Sequence, residues 1–414
     1  MLVGRGALFV NIALLASTFL PRIGGAELAV HNLATQLAKM GHEVAVIAWW
    51  GQWRGVRGAL SYPVRPLLPR SFTRTALHRL QAGQTWINPV PPQLALYQKR
   101  FRFDVWNIQH AFPLGVLATA GLRQRGIPVV ITPQGDDVIL DPASQYDLLE
   151  NPRLRQLMGA SLCAAHRVTA TSPAMRAAIE GLGVPAANIV DIPNGVSFAR
   201  FAGGADRRAE TRRTHGLPAE TPLILSVGRN HPQKGYDLIP PALAELMRRN
   251  ADCLWVIVGT DSERVLKGVP PDIAARIRCL PAMLEKDLQK SGYDHLPSDG
   301  LVDLYRACDI YALPSRNEPF GMVVAEALAA GLPVVGTTGM GAPDMVAEGA
   351  GGFVVEKNNP AALADKIEVL LKDKSLRERL GQYNREKAGQ YDWNAVARQY
   401  VACFEAAIAE AGRA

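Results

Sequence analysis

Short apolar runs rich in Val, Ile and Leu recur along the whole chain, separated by longer stretches in which apolar residues return every three or four positions. In the first half the runs at 10–16, 43–49, 104–109, 129–134, 167–172 and 188–193 predict strands. In the second half the runs at 223–229, 253–259, 277–280, 310–315, 333–337 and 351–355 do the same. Helices are expected at 27–41, 172–183, 236–249, 301–308, 320–331 and 391–412; the first carries Leu28, Leu33, Leu37 and Met40 along one stripe. Strands alternating with helices predict an α/β protein whose parallel sheets are wrapped by helices on both faces. The pattern lapses at 195–216, which is polar, Gly-rich and unperiodic, so the joint between two domains is expected at its start, giving 1–195 and 196–390. Two Rossmann-like, doubly wound sheets facing each other would leave a cleft at the carboxyl ends of their strands, where such sheets take ligands.

A length of 414 residues suits two domains, and 48% apolar against 20% charged residues supports packed cores. The five cysteines lie far apart, with no C-x-x-C pair and an odd total. That argues against a disulfide framework or zinc site and for a reducing cytoplasm. Arg5 and the apolar residues after it resemble a short signal core, but a strand–turn–helix–strand unit begins inside that segment, so a first strand is the expectation. No other stretch reaches the ~18 apolar residues that a membrane span needs.

Charge is uneven. Residues 1–195 hold 18 Lys and Arg against 10 Asp and Glu, whereas residues 196–414 hold 27 against 28. Between Glu43 and Asp104 there is no carboxylate, yet Arg54, Arg57, Arg65, Arg70, Arg74, Arg79, Lys99, Arg100 and Arg102 fall there. Trp49, Trp50, Trp53, Leu67, Leu68, Phe72, Leu77, Leu80 and Trp86 interleave with them. A basic stretch (49–102) with an apolar lining suits an anionic membrane surface or an anionic acceptor, or is a solvated face. No nucleic-acid motif accompanies it, so nucleic acid is not expected as a partner.

The run from Pro314 to Gly341 carries the most specific chemistry. Glu318 precedes a helix and Glu326 follows eight residues later, a helical rise of roughly 12 Å. Two carboxylates at that separation could accept hydrogen bonds from the sugar and the ribose at opposite ends of a nucleotide sugar. Between them the amides near Phe320, Gly321 and Met322 would face an anion. Taken singly, Glu318 reads as a capping residue and Glu326 as a solvated one; the surrounding strands and glycines favour a site. Gly228-Arg229 ends a strand and Lys234-Gly235 opens a helix, placing two cations where two phosphates could sit. The spacing is not that of a Walker loop. In the first half Gly24-Gly25 opens a helix, His110 closes the third strand, and Gln134-Gly135-Asp136-Asp137 closes the fourth. There is no D-x-D pair and no cluster with metal-ligand spacing, so no metal and no resident cofactor are expected.

The Glu318–Glu326 run, the VGR…KG pair at 227–235, the IPNGV segment at 192–196 and the RIGGAE turn at 22–27 resemble the retaining glycosyltransferases of family 4, nearly the whole chain being covered. The resemblance implies the GT-B fold and a final helix, 391–414, that crosses back to the first domain. It implies that Arg229 and Lys234 bind the donor diphosphate, that Glu326 binds the ribose, and that Glu318 with the Phe320–Met322 backbone holds the transferred sugar. His110 matches a strand-end His near the reaction centre, and Gly24 and Gly25 would lie beside the diphosphate. Gln134 and Asp136 fall on the acceptor side; many relatives have His-Gly where this chain has Gln134-Gly135, and the segment 281–300 is longer than usual. The implied activity is transfer of a sugar, with retention and without metal, from a nucleotide sugar to a glycan or lipid-linked acceptor, as in polysaccharide or lipopolysaccharide assembly. A UDP-sugar is the first expectation for the donor and GDP-mannose the second. The expected location is cytoplasmic, peripheral on the inner face of the cell membrane. A nucleotide-sugar epimerase on the same scaffold and a non-catalytic anion- or membrane-binding protein are the readings from other classes.

Overall fold

The computed structural model describes residues 9–50, 60–69, 75, 79, 82–83, 88–139, 148–204, 206–282, 293, 296–339 and 343–413. Two compact units emerge. One holds the described residues up to Pro193, Tyr293, and the chain from Trp393; the other holds the remaining described residues between Asn194 and Asp392.

The first unit is built on a seven-stranded sheet of β1 (Asn11–Ala16), β2 (Glu43–Trp50), β3 (Val64–Pro69), β4 (Val105–Gln109), β5 (Val129–Thr132), β6 (Arg167–Ala170) and β7 (Ile189–Asp191), in the order β3-β2-β1-β4-β5-β6-β7. All its pairings are parallel. The second unit carries β8 (Leu223–Val227), β9 (Leu254–Val258), β10 (Ile277–Leu280), β11 (Ile310–Ala312), β12 (Val334–Thr337) and β13 (Gly352–Val355), in the order β10-β9-β8-β11-β12-β13, again parallel. The central strands β4, β5 and β8 are buried at every position, which is why they read as mostly apolar runs, with the buried polar Asn107, Gln109, Thr132 and Ser226 set among Val, Ile and Leu. The expected strands all exist, each ending at or before its predicted limit except β2, which runs one residue further. The residues dropped from their ends, among them Gln134, Arg229 and Pro314, form carboxyl-end loops, and His110 follows β4 directly. The helix Trp393–Ala411 packs against Gly25–Lys39 and against β4 and β5, within the first unit.

Two expectations need correcting. The basic stretch was read as a surface with an apolar lining, but it contains β3, and Trp49 and Leu67 are core residues of the first unit. Arg54, Arg57, Arg70, Arg74, Trp53, Phe72, Leu77, Leu80 and Trp86 lie outside the described residues. Nor is 195–216 irregular. It holds the helices Phe198–Ala202 and Arg208–Thr214, too short for periodicity to register.

What orders the second helix is Arg212, only 2% exposed. Its guanidinium donates to Ala307 O (3.0 Å), Pro218 O (3.0 Å), Ala219 O (2.7 Å), Thr221 O (3.0 Å) and Asp309 Oδ2 (2.7 Å). Asp309 also accepts from Arg208 (2.7 Å) and from the Leu223 amide that starts β8 (2.8 Å). Removing one partner of such a buried pair costs about 3–5 kcal/mol. Arg212→Met should therefore lower the thermal midpoint markedly, while Arg207→Ala, at a half-exposed ion pair, should shift it little. Differential scanning calorimetry of the two variants checks this.

Candidate functional site

In each sheet the order of strands reverses once, between β1 and β4 and between β8 and β11. Crossovers leave such a pair in opposite directions, so the loops at its carboxyl end diverge and leave room for a ligand. In the second unit Arg229, Lys234, Glu318, Phe320 and Gly321 fall on these two loops, and Met322 and Glu326 on the helix that follows the second. The loop after β8 makes short turns at Pro232–Lys234 and Tyr236–Leu238 before the helix Ile239–Arg248, so Lys234-Gly235 does not itself open a helix. The loop after β11 runs from Leu313 to Gly321.

Arg316 fastens the two loops together. Its amide donates to Gln233 O (2.7 Å), and its guanidinium forks onto Asp237 (2.8 and 2.6 Å) while also reaching Pro232 O (2.9 Å) and Asn358 Oδ1 (2.6 Å). Gly235, at φ 63°, allows the close approach, since a Cβ there would collide with the Pro314 carbonyl oxygen. The clamp brings Lys234 Nζ onto Glu318 Oε2 as an ion pair between two mostly buried side chains. Nothing in the spacing of Arg316 and Asp237 signals this; the partnership needs the fold. Lys234, expected at the donor diphosphate, is paired with Glu318 in this structure. Arg229 is exposed at the end of β8 and has no partner among the described residues.

Gly321, at φ 95°, turns the chain into the helix Met322–Ala330, which has no side-chain cap. Glu326 is therefore only the fifth residue of that helix. The rise of eight helical residues between the glutamates does not apply, because Glu318–Gly321 is not helical. Nor is Glu326 solvated: it is 6% exposed and accepts a hydrogen bond from Tyr305 Oη at 2.8 Å. Tyr305 stacks on Tyr311 (5.8 Å) and meets Phe201 edge-on (5.4 Å), a setting that admits little water. Burial pushes the Glu326 carboxyl up to about 7, against the Tyr305 hydrogen bond and the Arg200 charge, which both pull it down. Phe320 is buried and meets Tyr391 edge-on at 6.0 Å.

In the first unit Gly24 caps the helix Gly25–Lys39, and a Cβ there would lie 2.7 Å from Glu27 Oε2. Glu27 is buried and pairs with the exposed Arg22 at 3.4 Å, so this helix start is faced by an anion of its own chain. His110, immediately after β4, has the unusual φ of 96° for a residue with a side chain. Its amide donates to Thr132 O at 2.9 Å, and Nδ1 donates to Gln109 O at 2.5 Å. Asp137, 3% exposed, accepts from the amides of Ala111 (2.5 Å), Gln134 (2.9 Å) and Gly135 (3.0 Å). Three bonds to a charged acceptor, about 1.5–3 kcal/mol each, outweigh the ~1–3 kcal/mol that such a backbone conformation costs. Gln134 Nε2 donates to Gln109 Oε1 (2.7 Å), and Gln109 in turn to Asn107 (2.5 Å), so Gln134 joins the His110 strand while Asp136 is exposed to solvent. Asp137 was quoted in the motif without being assigned a role, since a buried acceptor and a surface one look alike in sequence.

The Glu326 carboxyl titrates near 4.5 unfolded and near 7 folded, so its buried proton stabilises the fold at low pH and that contribution is lost as pH rises. The loss amounts to about 3 kcal/mol above pH 7. Glu326→Gln keeps an acceptor for Tyr305 without a charge. It should leave the thermal midpoint near wild type at pH 4 and raise it at pH 8.5, as followed by calorimetric unfolding.

Residues 207–387 match the family described as glycosyl transferases group 1, and residues 23–200 match glycosyltransferase family 4. The D-inositol 3-phosphate glycosyltransferase of Corynebacterium efficiens is 37% identical over 220 residues, 52% of this chain and 50% of that protein. Its counterpart from Corynebacterium glutamicum is 36% identical over 218 residues, 52% of this chain and 51% of that one. The chain thus spans about half the length of the curated relatives it matches. Among solved structures, HepE of Anabaena in complex with UDP has a TM-score of 0.72 at 19% identity, covering 94% of this chain and 98% of that one. A glycosyltransferase from Rickettsia africae gives 0.72 at 18% identity, covering 95% and 98%; both likenesses are of fold. With one family matched by each half and two Rossmann-like parallel sheets to carry them, the chain belongs to the family 4 glycosyltransferases of the GT-B fold.

Proposed function

We propose that the chain is a retaining glycosyltransferase moving one sugar from a nucleotide-sugar donor to a glycan or lipid-linked acceptor. The observation that carries this reading is the Lys234–Glu318 pair at the β8/β11 reversal, beside a helix start that has no side-chain cap. A donor diphosphate would compete with Glu318 for the Lys234 ammonium, freeing the carboxylate for sugar hydroxyls. Arg229, exposed and unpaired among the described residues, adds a second cation, and the amides of Phe320, Gly321 and Met322 add donors. Glu326 would take the ribose hydroxyls once ionised. On the first unit, His110, Gln134 and Asp136 serve the acceptor, with Gly24 and Gly25 beside the diphosphate.

In the reaction so read, the bond from the sugar's anomeric carbon to the β-phosphate oxygen breaks. The acceptor oxygen bonds to the same face, and its proton passes to the departing phosphate oxygen. Catalysis then rests on positioning and on charge stabilisation by Arg229, Lys234 and the amides, with neither a metal ion nor a resident cofactor assigned a part. HepE is described with UDP-glucose, which supports UDP over GDP for the base. The inositol 3-phosphate relatives and WaaG, described as involved in lipopolysaccharide biosynthesis, keep both a phosphorylated polyol and a lipid-linked glycan open as acceptors.

Screening UDP- and GDP-sugars for thermal stabilisation tests the donor. A true donor at 100 times its Kd adds about 2.7 kcal/mol, whereas no shift with any of them counts against the reading. Lys234→Ala and Glu318→Ala should each lower kcat/KM by about 10²-fold or more. Incubation with donor alone separates the epimerase, which would yield a new nucleotide sugar, from a transferase, which gives only slow hydrolysis.

A peripheral membrane contact is part of the proposal. On the helix Val90–Phe101, Leu96 is 69% exposed beside exposed Lys99, Arg100 and Arg102, and Arg65 lies over the Phe101 ring at 3.7 Å. Among the described residues no helix is long and apolar enough to cross a membrane. Replacing Leu96, Lys99 and Arg100 by Glu should abolish co-sedimentation with phosphatidylglycerol vesicles; unchanged sedimentation removes the membrane from the reading.

A further inference from the structure

We propose that Asp137 is the positioning residue for His110. The inference rests on the functional reading above insofar as His110 serves the reaction, but the coupling of the two residues stands on geometry alone. His110 is clamped from two sides. Its own amide is held by Thr132 O of β5 at 2.9 Å, and the next amide, that of Ala111, is held by Asp137 Oδ2 at 2.5 Å. These two bonds define the peptide planes before and after the residue, and so impose the backbone at φ 96° and ψ 132°. A backbone turned this way brings the ring's Nδ1 onto Gln109 O at 2.5 Å. A carbonyl oxygen only accepts, so Nδ1 carries the proton and, in the neutral ring, Nε2 holds the lone pair. Nε2 has no partner among the described residues, so it is the atom left to accept from a substrate hydroxyl.

Asp137 suits this task and no other that the structure offers. Its carboxylate is buried and makes no ion pair among the described residues; all three of its bonds come from main-chain amides, two of them on the turn at Gln134 and Gly135. One side chain therefore ties the loop after β4 to the loop after β5. An amide in its place offers one acceptor oxygen and one donor group, so at least one of the three N–H groups would face a donor. The Ala111 amide, held by the second oxygen, is the one exposed to that change.

The test uses the full-length protein and two readouts. ¹⁵N shifts of the imidazole, with the His110 signal identified by its disappearance in His110→Gln, report which nitrogen is protonated at pH 8. Wild type should show the Nδ1–H form, and Asp137→Asn should shift toward Nε2–H. The donor identified in the thermal screen then gives kinetics: Asp137→Asn should lower kcat about 10²-fold, with KM for the donor changed less than about 3-fold. Asp137→Ser, which keeps one small acceptor and cannot reach both loops, serves if the Asn variant does not fold, and should likewise shift the tautomer toward Nε2–H and lower kcat with KM for the donor changed less than about 3-fold. An unchanged tautomer in a folded variant overturns the proposal, as does a loss of rate matched by a loss of folded protein. Wild-type protein that turns over no nucleotide sugar overturns the functional reading alone, and the tautomer still decides whether Asp137 sets His110.

Discussion

A parallel sheet covered by helices on both faces leaves polar chemistry one place to go, the edge where its strands end. Both sheets here obey this constraint. Their central strands are buried throughout, and the charged and amide groups gather where β1 and β4, and β8 and β11, deliver their loops. The site in the second unit exists because Arg316, forked onto Asp237, holds the β11 loop against the β8 loop, and because Gly235 has no side chain to keep them apart. Without that clamp Lys234 and Glu318 would be two surface charges 84 residues apart in the chain.

Three buried or half-buried carboxylates illustrate how surroundings set their chemistry. Asp137 is met by three amides, so both its oxygens are engaged and it can hold a backbone in place. Glu318 is met by an ammonium and so can exchange that partner for another. Glu326 is met by one phenol in an apolar setting, and burial carries its carboxyl toward neutrality. The same functional group is a fixed strut, an exchangeable partner and a titrating acceptor, depending on how many donors reach it.

The alternation of strands and helices was legible from apolar spacing alone, because a sheet buried on both faces is built mostly of Val, Ile and Leu. The run from Glu318 to Glu326 was legible because Pro319 and Gly321 mark a turn before a helix, and the two carboxylates flank it. Short helices such as Arg208–Thr214 escaped, being held by a single buried arginine rather than by an apolar stripe. So did β3, whose pattern is masked by the arginine and prolines among its apolar residues.

Local order along the chain was enough to specify the α/β class, the loops at the carboxyl ends of the strands and the residue types on them, since each follows from covalent neighbours and from periodic burial; the strand order that makes two of those loops diverge came from the fold. Which charges meet could not be read that way. That Lys234 pairs with Glu318, that Glu326 is buried under Tyr305, and that Asp137 rather than Asp136 holds the His110 strand end all depend on groups remote in sequence. Distance and solvent access set electrostatic partnership, and both come into being when the chain packs.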